Sequence, residues 1–399
     1  MRDSTAFLRQ DYLKLVDNEL DWKLRILEGP SQPHCVVDGK EVLMLCSNNY
    51  LNLSNHPKLK EAAINSIKTH GAGSGSVRAI AANMDLHREL ENRLARFKHA
   101  EASLVYQSGY VVNSGLIPQL VAKEDLIISD ALNHGSIIDG VRLSSAKRAI
   151  YAHCDMTSLE QVLNAAEKEI PPPRRILIIT DGVFSMDGDV APLDQIAKLG
   201  EEHGAMVYVD DAHGEAVLGK SGRGIVSHFN LDHHHVQFEM GTFSKAFGVV
   251  GGHVSGSQDM VNFAYNKSRT WLLTGSHPPA VAAACIAAID VLETEPEHIK
   301  KLWENTNYFK KELNSLGFDT GISVTPITPV IVGRSGLAKK LNSRLFEEGI
   351  FTGSAIVSPM VASDAARIRT MMNSGLTRDD LDFALSIFEK IGKELKIIK

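Results

Sequence analysis

The sequence predicts an α/β fold: a mostly parallel central sheet with helices on both faces, followed by a smaller α+β C-terminal unit. Three observations carry this expectation. Short β-rich runs recur at 102–107 (ASLVYQ), 125–130 (DLIISD), 148–153 (RAIYAH), 175–181 (RILIITD), 205–211 (AMVYVDD) and 236–242 (VQFEMGT). Several are apolar throughout, as parallel strands covered on both faces are. Helix-patterned stretches such as Leu193–His203 lie between them and complete βαβ units. From about Pro278 the alternation stops and long helical stretches take over.

In chain order, a helical pattern over Tyr12–Ile26 stops at EGPSQPH, whose glycine and prolines break it. CVVDGKEVLML reads as a hairpin turning at Asp38-Gly39. His56–His70 and Asp85–Phe97 read as helices ahead of the first apolar run. After Pro278, AVAAACIAAIDVLETE and EHIKKLWENTNYFKKELNSLGF read as successive helices. The second carries Ile299, Leu302, Phe309, Leu313 and Leu316 on one stripe. The tail reads strand (PVIVG), helix (LAKKLNSRLFEEG), strand (IRTMM) and helix (LTRDDLDFALSIFEKIGKEL). The pattern divides the chain into an arm and hairpin (1–55), a large domain (56–280) and a small C-terminal α+β domain (281–399).

Composition narrows the function classes. The chain has 399 residues, 44% hydrophobic and 23% charged, as soluble enzymes do. A net charge of −6 argues against a nucleic-acid binder, which needs a basic face. No apolar run reaches the roughly 18–20 residues of a membrane span. MRDSTAFLRQDYLK has no apolar core of a secretory signal. Four scattered cysteines without a CxxC read as reduced thiols. Together these predict a cytoplasmic enzyme.

In an open parallel sheet, ligands sit beyond the carboxyl ends of the strands. After ASLVYQ comes Ser108-Gly109-Tyr110 at the start of a helical stretch. It reads either as a phosphate cradle or as an ordinary strand-to-helix turn. After AMVYV come Asp210 and Asp211, of which one should have a cationic partner; a helix N-cap is the other reading. After VQFEMGT comes Lys245, in an apolar and glycine-rich setting that can depress its pKa and make it a nucleophile toward a carbonyl. A lysine that snorkels outward is the alternative. A phosphate cradle, an acid and an aldehyde-capturing lysine at neighbouring strand ends meet the needs of one cofactor, pyridoxal 5′-phosphate (PLP). On this reading the glycines around Lys245 give the flat cofactor ring room.

Other features have plainer readings. LDHHHVQ (231–237) reads as an exposed turn rather than a metal site. Asp187 and Asp189 shape a loop, Met371-Met372 fill core, and Trp271 packs.

With those motifs in place, the sequence resembles the α-oxoamine synthase family of fold-type I PLP enzymes, whose fold is aspartate-aminotransferase-like. The resemblance runs from about Asn48 to Thr377. It includes SNNYLNLSNHP, GAGSGSVRAI, DLHRELENRLA, TDGVFSMDGDVAPL, VDDAHG, GTFSKAFGVVGG and ARIRT. It implies that Lys245 carries the cofactor aldehyde and serves as acid and base at Cα. It also implies that Asp210 pairs with the pyridine nitrogen, that His213 bonds the phenolic oxygen, and that His134 stacks on the ring. Ser108, Gly109, Tyr110 and Thr242 would hold the phosphate, and Thr274 of a neighbouring chain would join them. Ser185 would line the ring and substrate region, Arg369 would clamp the amino-acid carboxylate, and Asn49 would reach the substrate. No metal is implied. The partners implied are an amino acid, an acyl-CoA and a second copy, in a homodimer with sites at the subunit interface.

Within the family, ARIRT and the GSVRAI/MDLH context suggest the glycine C-acetyltransferase branch, acting on glycine and acetyl-CoA. The 8-amino-7-oxononanoate synthase branch is the first alternative, with Arg25 a candidate for a distal carboxylate. Serine palmitoyltransferase is less favoured. A catalytically silent partner subunit is the alternative from another class, and the presence of Lys245 argues against it. The chain departs from the family pattern at Thr274-Gly275-Ser276, at Asn373-Ser374-Gly375-Leu376-Thr377, and at Asn52, where relatives carry glycine.

Overall fold

The computed structural model describes residues 3–18 and 20–399. Each apolar run of the first half forms a strand of one seven-stranded sheet. Across the sheet the order is Ala102–Tyr106, Gly252–Gly256, Phe238–Thr242, Met206–Asp210, Ile176–Asp181, Leu126–Asp130 and Lys147–Tyr151. All neighbours pair in parallel except Gly252–Gly256, which is antiparallel to both of its neighbours. Ala102–Tyr106, Ile176–Asp181 and Phe238–Thr242 are buried along their whole length, as a sheet covered on both faces requires. The edge strand Lys147–Tyr151 instead exposes Lys147 and Arg148, charges that discourage edge pairing with another chain.

Gly252–Gly256 is the strand that sequence patterning misses, because GHVSG holds a single apolar β-branched residue, Val254, among glycine, histidine and serine. Tertiary contacts hold it: Ser103 and Ser255 share a hydroxyl bond at 2.7 Å, and His253 meets Glu215 at 2.9 Å. The N-terminal helix also differs from expectation. It spans Ala6–Asp17 rather than Tyr12–Ile26. Leu20, Trp22, Leu24 and Ile26 are exposed and alternate at a period of two, a strand-like spacing that leads into the short strand Leu27–Glu28.

The hairpin His34–Val37/Lys40–Met44 forms as expected, with φ of +51° at Asp38 and +74° at Gly39, a turn with both central residues left-handed. It does not stand apart from the C-terminal unit. Its second strand pairs in parallel with Ile350–Phe351. Asn52 has φ of +56°, so the position retains the left-handed backbone that glycine favours and asparagine tolerates.

One core joins three parts of the chain: Leu43–Leu53 after the hairpin, Phe243 and Phe247 around Lys245, and Phe309 and Phe388 of the C-terminal helices. Phe243 and Phe247 are fully buried. They pin the backbone on both sides of Lys245 and so fix where the lysine emerges. Met371 and Met372 are core residues, all four cysteines are free, and no described helix is long and apolar enough to cross a membrane.

Candidate active site

The strand Met206–Asp210 delivers two adjacent acids, and the structure separates their roles. Asp211 turns inward to Lys98, 3.7 Å away, which also meets Glu215 at 3.4 Å and Glu239 at 2.6 Å. These four side chains are at most 1% exposed. Burial draws the Lys98 pKa down, but the three carboxylates outweigh it and raise it, so the lysine stays charged. Asp211 is therefore the acid with the cationic partner. Asp210 accepts from Asn113 Nδ2 at 2.7 Å and from the Ala212 amide at 3.0 Å. Both donors are neutral, which leaves the carboxylate charge for a cation supplied by a ligand.

Lys245 Nζ makes no hydrogen bond or ion pair among the described residues. Burial lowers its pKa from 10.5 to about 8; Asp210 and Asp181 oppose that shift and Arg369 adds to it. A neutral amine is thus accessible near pH 8, as a carbonyl-capturing lysine needs. In the cofactor-free protein, the rate of PLP capture should rise with pH and level off above about 8. A stopped-flow absorbance series checks this; a rise continuing beyond pH 10 would mean an unperturbed amine.

His213 Nδ1 lies 2.8 Å from the Tyr50 hydroxyl. Burial raises the phenol pKa and depresses that of the imidazole. Tyr50 therefore donates, Nδ1 accepts, and the ring proton sits on Nε2, where it can be given to an anionic oxygen. His134 caps the helix Gly135–Leu143. Its amide donates to Asp181 at 2.7 Å, and its Nδ1 accepts from the Ser136 amide at 3.2 Å. Burial also lowers the His134 pKa and favours the neutral ring.

Ser108 caps the helix Gly109–Leu120 by accepting from Val111 N. The Gly109 and Tyr110 amides donate to no protein group among the described residues, which leaves two convergent donors for an anion. The Tyr110 side chain points elsewhere, to Asp139 at 2.8 Å. A Cβ on Gly252 would lie 2.4–2.5 Å from the Ser108 carbonyl carbon and the Gly109 amide. Glycine there lets the strand support the anion turn, and Gly248 likewise backs onto Ser54. Gly248 and Gly252 thus serve close backbone packing.

Two expected site residues, Thr242 and Asn49, have their polar atoms engaged elsewhere. The Thr242 hydroxyl donates to the Gly251 carbonyl at 2.7 Å, so its proton is committed to the turn. Ser244 makes only a 3.4 Å bond to that carbonyl and is the freer hydroxyl. The Asn49 side chain donates to the Ser31 carbonyl at 3.1 Å and to Ser54 Oγ at 2.8 Å, and accepts from Ser54 N at 3.2 Å; it clamps its own loop. Thr274 lines a recess with Arg78, Gln107 and His277, beside the Gly275–Val77 bridge.

The two arginines of ARIRT lie two apart on the strand Ala366–Met371, so they share a face. Arg367 is buried and paired with Asp187. Arg369 donates to the Ser185 carbonyl at 3.0 Å and has no carboxylate partner among the described residues. Its charge acts on Lys245, His213, His134 and Tyr50.

Sequence reasoning missed Asn113, Asp181, Tyr50 and Ser136. Asn113 is fully buried, accepts from the Tyr208 hydroxyl at 2.7 Å and donates to both Asp210 and Ser136 Oγ. It connects the acid to the residue that orients His134. A lone asparagine in a helical pattern gives no signal of this. Elsewhere, the triple-histidine run forms the expected turn before a strand with His234 and His235 exposed, while His233 meets Glu239 at 3.0 Å and braces the Lys98 cluster. Asp189 accepts from His153 at 2.9 Å, which ties its loop to the turn after the strand Lys147–Tyr151.

Residues 40–388 match the model of the class I and II aminotransferase family. The chain belongs to that family. It is 52% identical over 394 residues to the 8-amino-7-oxononanoate synthase of Symbiobacterium thermophilum, covering 99% of each chain. Among solved structures it is similar to serine palmitoyltransferase from S. paucimobilis, with a TM-score of 0.92 and 27% identity over the whole of both chains. It is also similar to 8-amino-7-oxononanoate synthase from Francisella tularensis, with a TM-score of 0.76 and 28% identity over 88% of this chain and 98% of that one. The chain is a PLP-dependent acyltransferase of the α-oxoamine synthase group. Its residues fit the cofactor: an unpaired amine, a buried carboxylate with neutral partners, and two free amides at a helix start surround the same strand ends.

Proposed function

We propose that the chain is an 8-amino-7-oxononanoate synthase, joining alanine to a pimeloyl thioester with release of the thiol and carbon dioxide. The observation that supports this most is the 52% identity to such an enzyme over 99% of both chains. That relationship displaces glycine C-acetyltransferase as the leading reading.

When bound, PLP supplies an aldehyde that condenses with amines and a cationic ring that draws electrons from the bonds at Cα. Asp210 sustains that ring charge from its buried position, and Asn113 fixes the carboxylate. Arg369 binds the amino-acid carboxylate, a task suited to guanidinium. Lys245 takes the Cα proton in its neutral form and can return it. His213 would donate from Nε2 to the cofactor's phenolic oxygen, and Asp181 and Ser136 fix His134, which would contact the ring. Gly109 and Tyr110 would give backbone donors to the phosphate, and Ser244 offers the freer hydroxyl for it. The new carbon–carbon bond forms between Cα and the thioester carbonyl, and the thiol leaves. Two copies of the chain would complete the site, with Thr274 supplied across the interface.

Arg369→Lys should raise the amino-acid KM by roughly 10–100-fold, the worth of a charged hydrogen-bond pair, and change kcat less. Steady-state kinetics with varied amino acid checks this.

One observation favours glycine C-acetyltransferase as a second reading. Arg25, expected to meet a distal carboxylate, pairs with Asp38 at 2.8 Å and lies 3.7 Å from the Phe346 ring centre. It is occupied beside the hairpin. Thiol release measured with alanine, glycine or serine against pimeloyl-, acetyl- or palmitoyl-CoA separates the readings. Preference for alanine with pimeloyl-CoA is expected; preference for glycine with acetyl-CoA would overturn the proposal.

A further inference from the structure

Away from the strand ends, His56, Glu295 and His298 converge at a corner of three helices. His56 is the residue before the helix Pro57–His70, Glu295 follows the helix Pro279–Thr294, and His298 lies in the first turn of Glu297–Ser315. The three potential ligand atoms lie within 4.8 Å of one another. Glu295 Oε2 is 3.5 Å from His56 Nε2 and 3.4 Å from His298 Nε2.

These separations are long for hydrogen bonds, which run at about 2.7–3.2 Å. They match a different geometry. Zinc bonds of about 2.0–2.2 Å place tetrahedral ligand atoms about 3.3 Å apart. His153 provides the contrast within the same chain, because its two nitrogens each meet a carboxylate at 2.9 Å. Those contacts are hydrogen-bonded ion pairs. Around His56 the hydrogen bonding is incomplete, since its buried Nδ1 has no partner among the described residues.

We propose that His56, Glu295 and His298 form a binding site for a divalent transition-metal ion, zinc in the first instance. The donor set is two imidazoles and one carboxylate. Lys58 engages the other carboxylate oxygen, Oε1, at 2.6 Å and leaves Oε2 available. The three side chains are 15–23% exposed, so the fourth position opens to water.

The position suggests a structural use. The ion joins the corner between the two long C-terminal helices to the residue that starts Pro57–His70. Two residues before His56, Ser54 packs against Gly248, three residues after Lys245. A metal brace there stiffens the wall behind the lysine without entering the site.

The test is calorimetric titration of chelator-treated holoenzyme with zinc chloride, for the parent, His298→Ala and Glu295→Gln. Zinc bound at other histidines is counted by difference. The expected result is one equivalent of micromolar or tighter affinity in the parent, weakened at least about tenfold in both variants. Unchanged stoichiometry and affinity in both variants would overturn the proposal, as would the lack of such an equivalent in the parent.

Discussion

Lys245→Ala is expected to lower turnover by roughly 10²–10⁴-fold, the usual contribution of a positioned acid–base group. The loss should appear in kcat, because the base acts on the Cα proton after the amino acid is bound. PLP should still bind, held by Asp210, His213 and the free amides of Gly109 and Tyr110, but without a covalent link. Thiol-release kinetics and the cofactor content of the purified variant check the two halves separately. Turnover at the parent rate would remove Lys245 from the chemistry. Loss of the folded protein would instead point to a structural role.

Lys98→Met is expected to have the largest effect on stability. It leaves Asp211, Glu215 and Glu239 together in the interior without their shared cation. Removing one partner of a buried ion pair costs about 3–5 kcal/mol. At the unfolding entropy of a chain this long, that is a drop of about 4–6 °C in Tm. Thermal unfolding of holoenzyme and variant measures it. The cluster lies directly behind Asp210, so the variant should also bind PLP more weakly. An unchanged Tm would mean that the carboxylates find protons or solvent at little cost.

Much of the site was legible because parallel sheets place chemistry at strand ends. Asp210, Lys245 and the Ser108–Tyr110 turn each follow an apolar run, and continuous apolar composition located those runs. The choice between Asp210 and Asp211 came from the VDDAHG resemblance and had no local physical signal. It depends on Lys98, more than a hundred residues earlier and buried by the fold. Asn113, Tyr50 and Asp181 were hidden for the same reason: each acts through hydrogen bonds to residues distant in sequence and has no local pattern. Thr242 and Asn49 illustrate the converse. Motif position brought them into the site, but their polar atoms are taken up by their own turns. The strand Gly252–Gly256 escaped because Gly252 allows the close backbone approach to Ser108–Gly109 that supports the anion turn, which leaves Val254 as its one β-favouring residue.

The account rests on the Lys245 amine and the Asp210 carboxylate gripping opposite ends of one heterocycle. Borohydride reduction of the holoenzyme, followed by peptide mapping, tests the amine end most directly. The account predicts a single pyridoxyl group on the peptide that contains Lys245. A pyridoxyl group on a different lysine, or none on any peptide, would contradict it.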